Sequence, residues 1–169
     1  IERQLGSGAQ LGLSIRYFRE PELLDTGGAI ANAANWLGDE PFVLIAADVF
    51  TDYSFGNLPE LAAGSDAHLM VVANPPHNAT GDFALGDDGR LTRDGERRWT
   101  YASIAVVHPR LIAGEHRRIF PVRDSLFDAA AAGRLTGSQL GGAWSDVGTI
   151  ARLQACRQLV GGAVGQGSA

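Results

Sequence analysis

Phe42-Val43-Leu44-Ile45-Ala46-Ala47-Asp48 is an unbroken apolar run that ends on a carboxylate. A run of this length, bounded by turn formers, reads as a strand buried on both faces, the kind found inside a parallel sheet. Upstream, residues 29–37 carry a helical pattern closed near Gly38, and downstream residues 68–73 form a second apolar strand. Strand and helix alternating through loops of ordinary length predict an α/β fold with a parallel sheet. In open sheets of that class ligands bind beyond the carboxyl ends of the strands, which makes Asp48 a candidate metal ligand. A turn or helix-capping aspartate is the competing reading.

Working outward, residues 11–17 alternate apolar and polar and read as a strand, and Asp25-Thr26-Gly27-Gly28 reads as a turn opening the first long helix. After Asp48 comes an acidic, aromatic loop, Thr51-Asp52-Tyr53-Ser54-Phe55. Residues 82–85 and 90–92 flank Gly86-Asp87-Asp88-Gly89 and predict a hairpin. Residues 99–107 read as a long strand stopped by His108-Pro109. Residues 124–132 read as an alanine-rich helix, 134–139 as a strand and 151–160 as a last helix. One domain over residues 1–160 followed by a flexible Gly/Ser-rich tail, 161–169, is the expected organisation.

Composition narrows the function. The chain has 169 residues, 45% hydrophobic and 20% charged, with a net charge of −5. That balance suits one soluble globular domain with a real core. Arg97-Arg98 and Arg117-Arg118 are isolated pairs on an acidic chain, so no nucleic-acid partner is expected. No apolar run approaches the roughly 18 residues of a membrane span. The lone Cys156 excludes an intrachain disulfide and reads as a buried filler, and the histidines have no zinc spacing. Trp36 and Trp99 are expected in the core. All 14 basic residues are arginine. Walker A and Schiff-base lysines are therefore absent from these residues. The opening Ile1-Glu2-Arg3-Gln4-Leu5-Gly6 reads as the end of a helix entered part-way along, as in a piece of a longer chain.

Three loops can carry chemistry. Asp25-Thr26-Gly27-Gly28-Ala29 opens a helix with glycines that allow close backbone approach to a nucleotide, though a plain helix start explains it equally. Asp48 is the second. In the third, Trp144-Ser145-Asp146-Val147-Gly148-Thr149, Asp146 precedes a glycine turn and another helix, where it can also serve as a cap. Two carboxylates from distant loops suit a magnesium ion that also binds substrate phosphates. Spacing alone leaves open whether Asp48 and Asp146 meet.

In order and wording these motifs resemble the sugar-1-phosphate nucleotidyltransferases, and within them the bacterial N-acetylmuramate-1-phosphate uridylyltransferases. The resemblance runs through residues 11–17, Leu24-Asp25-Thr26-Gly27-Gly28, residues 42–49, Asp52-Tyr53, Asn74-Pro75 with Gly81-Asp82-Phe83, residues 101–109, and residues 144–149. It implies a Rossmann-like nucleotidyltransferase fold with a mostly parallel central sheet and helices on both faces. It further implies attack of a sugar-1-phosphate on the α-phosphate of UTP, giving a nucleotide sugar and pyrophosphate. Asp48 and Asp146 match the family's Mg2+-binding aspartates, and Thr26, Gly27 and Gly28 its turn beside the nucleotide. Asn74, Gly81, Asp82, Tyr101 and Ser103 match its sugar-pocket loops. The same resemblance implies a cytoplasmic monomer or small homo-oligomer acting in peptidoglycan recycling.

The chain also departs from that pattern. The family's first strand, its Gly-rich triphosphate loop and a following Pro-Lys-Pro segment have no counterpart in residues 1–169. These residues alone are therefore expected to turn over poorly. Ser103 stands where glycine is usual, Ala47 where glycine or serine is, and Asp25 where glutamate is. Mannose-1-phosphate guanylyltransferase and a non-catalytic sugar-nucleotide-binding homologue are the alternative readings.

Overall fold

The computed structural model describes the backbone of residues 1–164 and the side chains of residues 1–158. In chain order the elements are α1 (Glu2–Leu5), α2 (Asp25–Leu37), β1 (Phe42–Ile45), β2 (Val49–Thr51), β3 (Ala67–Val72) and β4 (Phe83–Leu85). Then follow β5 (Leu91–Thr92), β6 (Arg98–Val107), α3 (Val122–Ala131), β7 (Leu135–Gln139), β8 (Trp144–Asp146) and α4 (Ile150–Val164). The last helix thus continues through part of the expected tail, and residues 165–169 lie outside the described residues.

The sheet is organised around β6. Its whole length pairs with β3 on one side, and its two ends pair with β1 and β4 on the other, all antiparallel. β7 joins the far edge of β3 in parallel. The strands β1, β3, β4 and β7 therefore share one direction and β6 is reversed among them. That is the mixed, mostly co-directional sheet of an α/β fold. The hairpin of β4 and β5 forms as its Gly/Asp turn predicts.

Strand alternation sorts the core onto two faces. Ala67, Leu69 and Val71 of β3 join Ala105 and Val107 of β6, beneath Ile30 of α2 and Leu126, Ala129 and Ala130 of α3. On the opposite face Met70, Ala102 and Ile104 pack with Val49, Tyr53, Leu140 and Trp144. Each fully buried Leu, Ile or Phe contributes roughly 1.5–3 kcal/mol. Helices α2 and α3 cover the first face. α4 packs beside β8 and buries Cys156.

At the start of β3, the buried Asp66 accepts Arg110 Nε at 2.9 Å and Arg134 Nε at 2.7 Å. The ends of β6 and β7 are tied there to β3, because the Asp66 backbone also bonds His108 N and Arg134 O.

Three expectations need correction. Residues 11–17 form no strand: their amides bond backward, Leu13 to Gly8 and Ile15 to Ser7, and no sheet edge among the described residues meets them. β1 is not buried on both faces and stops three residues short of Asp48. Phe42 and Leu44 pack on the helix-covered core, whereas Val43 and Ile45 stay 49% and 42% exposed because among the described residues no element covers that side of β1. Trp36 is 52% exposed at the end of α2, its ring 5.8 Å from that of Phe18, while Trp99 does pack on the core.

Candidate active site

Asp48 lies in the turn that follows β1, where Val49 N bonds back to Ala46 O. What brings the distant Asp146 to it is a two-stranded ladder too short to announce itself. Val49 pairs with Asp146, Phe50 with Ser145 and Thr51 with Trp144, all antiparallel. The ladder is extended at one end by Val147 N donating to Asp48 O at 2.7 Å. At the other end Asp52 Oδ1 accepts Ala143 N at 2.7 Å, and Thr51 Oγ1 donates to Ala143 O at 2.8 Å. Gly142, at φ +86°, leaves room for the Asp52 carboxylate, which a Cβ would strike. The two loops carrying the aspartates are therefore one unit.

Around the carboxylates stand two side chains that the sequence reading left unassigned. His77 Nε2 lies 3.2 Å from Asp146 Oδ2, and Arg152 Nε lies 3.4 Å from Asp146 Oδ1. Gly148 sits between the parts: a Cβ there would lie 2.9 Å from Asp48 Oδ2 and 3.2 Å from Arg152 Nη2. The Asp146 carboxylate thus faces the Arg152 guanidinium, and Asp48 Oδ2 and Arg152 Nη2 both border the space at Gly148. The sole sequence cue for these two residues is their place just beyond Asn74-Pro75 and residues 144–149.

Two cavities adjoin this centre. The larger, about 520 Å³, runs from Val72 and Pro75 past Trp99 to Asp146 and Arg152. The smaller, about 270 Å³, is lined by Asp82, Tyr101, Ser103, Arg123 and Phe127. His77, Trp144 and Asp146 form the wall between them. Burial of Tyr101 holds its phenol well above the ordinary tyrosine value, so the hydroxyl stays protonated.

The remaining predicted residues divide. Asp82, Tyr101 and Ser103 line the smaller cavity. Asn74 and Gly81 lie behind it as scaffold. Asn74 Nδ2 donates to Arg98 O at 3.0 Å and its Oδ1 accepts Thr100 Oγ1, and a Cβ on Gly81 would crowd Asn74 Oδ1 at 2.7 Å. Asp82 Oδ2 is likewise held, by Tyr101 N at 2.8 Å and Asn78 Nδ2 at 3.1 Å. Thr26, Gly27 and Gly28 form the first turn of α2 and line neither cavity. The amides of Gly27 and Gly28 both donate to Phe120 O, at 3.0 and 3.2 Å. A Cβ on Gly27 would overlap the Phe120 ring, and one on Gly28 would overlap the Arg118 carbonyl. Close packing accounts for both glycines.

Ser103 has φ +58°, the left-handed region that favours glycine. It sits in a bulge of β6. Between the pairs Leu69–Ala105 and Val71–Tyr101 the register shifts, leaving extra β6 residues opposite Met70. The bulge turns two carbonyls outward. Ser103 O accepts Ala46 N at 3.0 Å, and Ala102 O accepts Trp144 Nε1 at 2.9 Å.

The chain is similar to known nucleotidyltransferases. The nucleotidyl transferase family model matches residues 1–93. The chain is 35% identical over 175 residues to N-acetylmuramate alpha-1-phosphate uridylyltransferase of Neisseria meningitidis serogroup B, spanning 95% of this chain and 73% of that protein. It is 27% identical over 161 residues to the mannose-1-phosphate guanylyltransferase catalytic subunit beta of Danio rerio, spanning 88% of this chain but only 45% of the relative. Among solved structures, HddC from Yersinia pseudotuberculosis complexed with GMP-PN superposes with a TM-score of 0.72 at 16% identity, over 93% of this chain and 72% of HddC. The chain belongs to the nucleotidyl transferase family, among its sugar-1-phosphate nucleotidyltransferases.

Proposed function

We propose that the protein transfers the uridylyl group of UTP to N-acetylmuramate 1-phosphate. A phosphate oxygen of the sugar-1-phosphate attacks the α-phosphorus, the bond from that phosphorus to the α–β bridging oxygen breaks, and pyrophosphate leaves with the electron pair. The observation that carries this reading is the β2–β8 ladder, which joins the Asp48 turn to the strand of Asp146, with Asp146 in the wall shared by two cavities. The muramate and uridine identities rest on the 35% identical Neisseria relative.

The donor set fits Mg2+. Among the described residues no group of three His, Cys, Asp or Glu side chains could hold a metal alone. Two carboxylates are what a magnesium ion needs when phosphates and water complete its shell. Asp48 and Asp146 would hold that ion, which when bound neutralises charge developing on the transferring phosphate. His77 orients the Asp146 carboxylate, and Asp82, Tyr101 and Ser103 offer polar groups to the sugar. Thr26, exposed at the start of α2, is the residue of its turn left to face a nucleotide. No described helix is long and apolar enough to cross a membrane. A cytoplasmic monomer or small homo-oligomer with a role in peptidoglycan recycling belongs to the same proposal.

The test is pyrophosphate release by the full-length protein with Mg2+, offering UTP or GTP against N-acetylmuramate 1-phosphate or mannose 1-phosphate. UTP with the muramate phosphate is the expected pair. Asp48→Asn and Asp146→Asn should each lower that rate at least about a hundredfold. Preference for GTP with mannose 1-phosphate would reassign the enzyme as a guanylyltransferase. Release with no combination would leave a sugar-nucleotide-binding homologue.

A further inference from the structure

Arg152 occupies an unusual position. Its Nε is buried and makes no hydrogen bond among the described residues, although Asp146 Oδ1 is 3.4 Å away. The contact is electrostatic and misaligned, and it leaves a buried N–H without an acceptor, which is unfavourable. The same side chain lines the 520 Å³ cavity and brings Nη2 beside Gly148, where Asp48 Oδ2 also lies. A cation thus sits against the Asp146 carboxylate with one of its donors unused, a second donor bordering the space at Gly148 that Asp48 Oδ2 also borders, and an open cavity in front of it. Residues 1–169 contain no lysine.

We infer that Arg152 is an exchangeable counter-ion: it neutralises Asp146 while no metal is bound, and turns its guanidinium to a substrate phosphate once a divalent cation takes Asp48 and Asp146. The inference rests on the reading of the two aspartates as metal ligands. Its physical basis is like-charge repulsion. A guanidinium close to a carboxylate loses its advantage when a divalent cation joins that carboxylate, whereas a phosphate in the adjoining cavity offers two oxygens to the planar guanidinium fork. Arg152 N is tethered to Thr149 Oγ1 at 3.2 Å, so the first turn of α4 holds the stem while the head turns. Arg152 is accordingly a positioning residue for the metal and a binding residue for phosphate.

Removal of the guanidinium should then move two affinities in opposite directions. Calorimetric titration of the full-length protein with MgCl2 alone, and with UTP in saturating Mg2+, measures both. Arg152→Met is expected to tighten Mg2+ alone about threefold to tenfold, because the competing cation is gone. UTP should weaken about tenfold or more, the usual loss for a charged hydrogen bond. Arg152→Lys keeps the charge, so its Mg2+ affinity should stay within about twofold of the parent while UTP weakens. A parallel titration with the sugar-1-phosphate tells which phosphate the arginine holds, by which of the two weakens more. Unchanged or weaker Mg2+ binding in Arg152→Met overturns the inference, as does undiminished binding of both phosphates. Absence of Mg2+ and UTP binding in the parent protein would instead overturn the metal-site reading itself.

Discussion

Trp144 donates its indole N–H to the carbonyl of Ala102 across 2.9 Å, and this bond anchors the Asp146 strand to the central sheet. One residue further along the same bulge, Ser103 O anchors the Asp48 turn through Ala46 N. A single irregularity in β6 therefore sets the height of both aspartates above the sheet. Trp144→Phe keeps most of the ring packing against Met70 and Ile104 and deletes only the donor. It should destabilise the protein by about 1–2 kcal/mol, since the partly buried carbonyl loses its partner. It should also lower kcat more than a comparable loss of stability elsewhere, because Asp146 follows two residues later. Urea denaturation read beside steady-state kinetics checks both.

Ser103 adopts φ +58°, at a cost of order 1 kcal/mol for a residue with a Cβ. Among the described residues no hydrogen bond to its hydroxyl offsets that cost. Ser103→Gly should therefore raise stability by about 0.5–1 kcal/mol, or roughly 2–4 °C in melting temperature. The substitution also opens the wall of the smaller cavity, so the sugar-phosphate KM should change while the UTP KM holds. Thermal unfolding and the two KM values give the answer; a lower melting temperature would mean that the serine is not strained.

The legible parts of this molecule were those whose signal is local. β3, β6, the β4–β5 hairpin and α3 declare themselves through apolar alternation, a Gly/Asp turn and an alanine run. The unusual residue at position 103 was legible as a serine where glycine is usual, and its positive φ supplies the reason. Residues 11–17 alternate just as convincingly, yet alternation cannot say whether a sheet edge is there to receive it. The apolar run from Phe42 likewise carried no information on which side would be covered. Asp48 and Asp146 could be joined in advance only by resemblance. The device that unites them is a three-residue ladder between distant segments, too short for any periodicity. His77 and Arg152 had no pattern at all; they become visible only as the groups nearest the Asp146 oxygens.

Gly27 distinguishes a packing role from a ligand role. With its amide on Phe120 O and the Phe120 ring where a Cβ would go, Gly27→Ala should force that buried ring aside. The expected cost is about 1–3 kcal/mol, as for other overpacked cores. Pairing it with Phe120→Leu should recover part of the loss, because the smaller side chain vacates the space. Denaturant midpoints of the two single variants and the double variant test this coupling. Full stability in Gly27→Ala, with nucleotide binding lost, would return the turn to the nucleotide site.

His68 makes the fold's stability depend on mild acid. Its ring lies between Thr136 Oγ1, 3.0 Å from Nδ1, and Ser138 Oγ, 2.9 Å from Nε2, on the neighbouring strand β7. Burial lowers its pKa below the ordinary 6.5, because the charged imidazolium loses solvation there. The unfolded chain therefore binds a proton on this residue at a higher pH than the folded protein does. Its contribution to stability is complete above about pH 6.5 and is lost as pH falls from there through the depressed native value. His68→Gln offers the two hydroxyls an uncharged partner and should remove that part of the slope. Urea midpoints at pH 7.5 and 5.5 should fall further apart in the parent protein than in His68→Gln. Equal separations would show that carboxylates alone set the acid sensitivity.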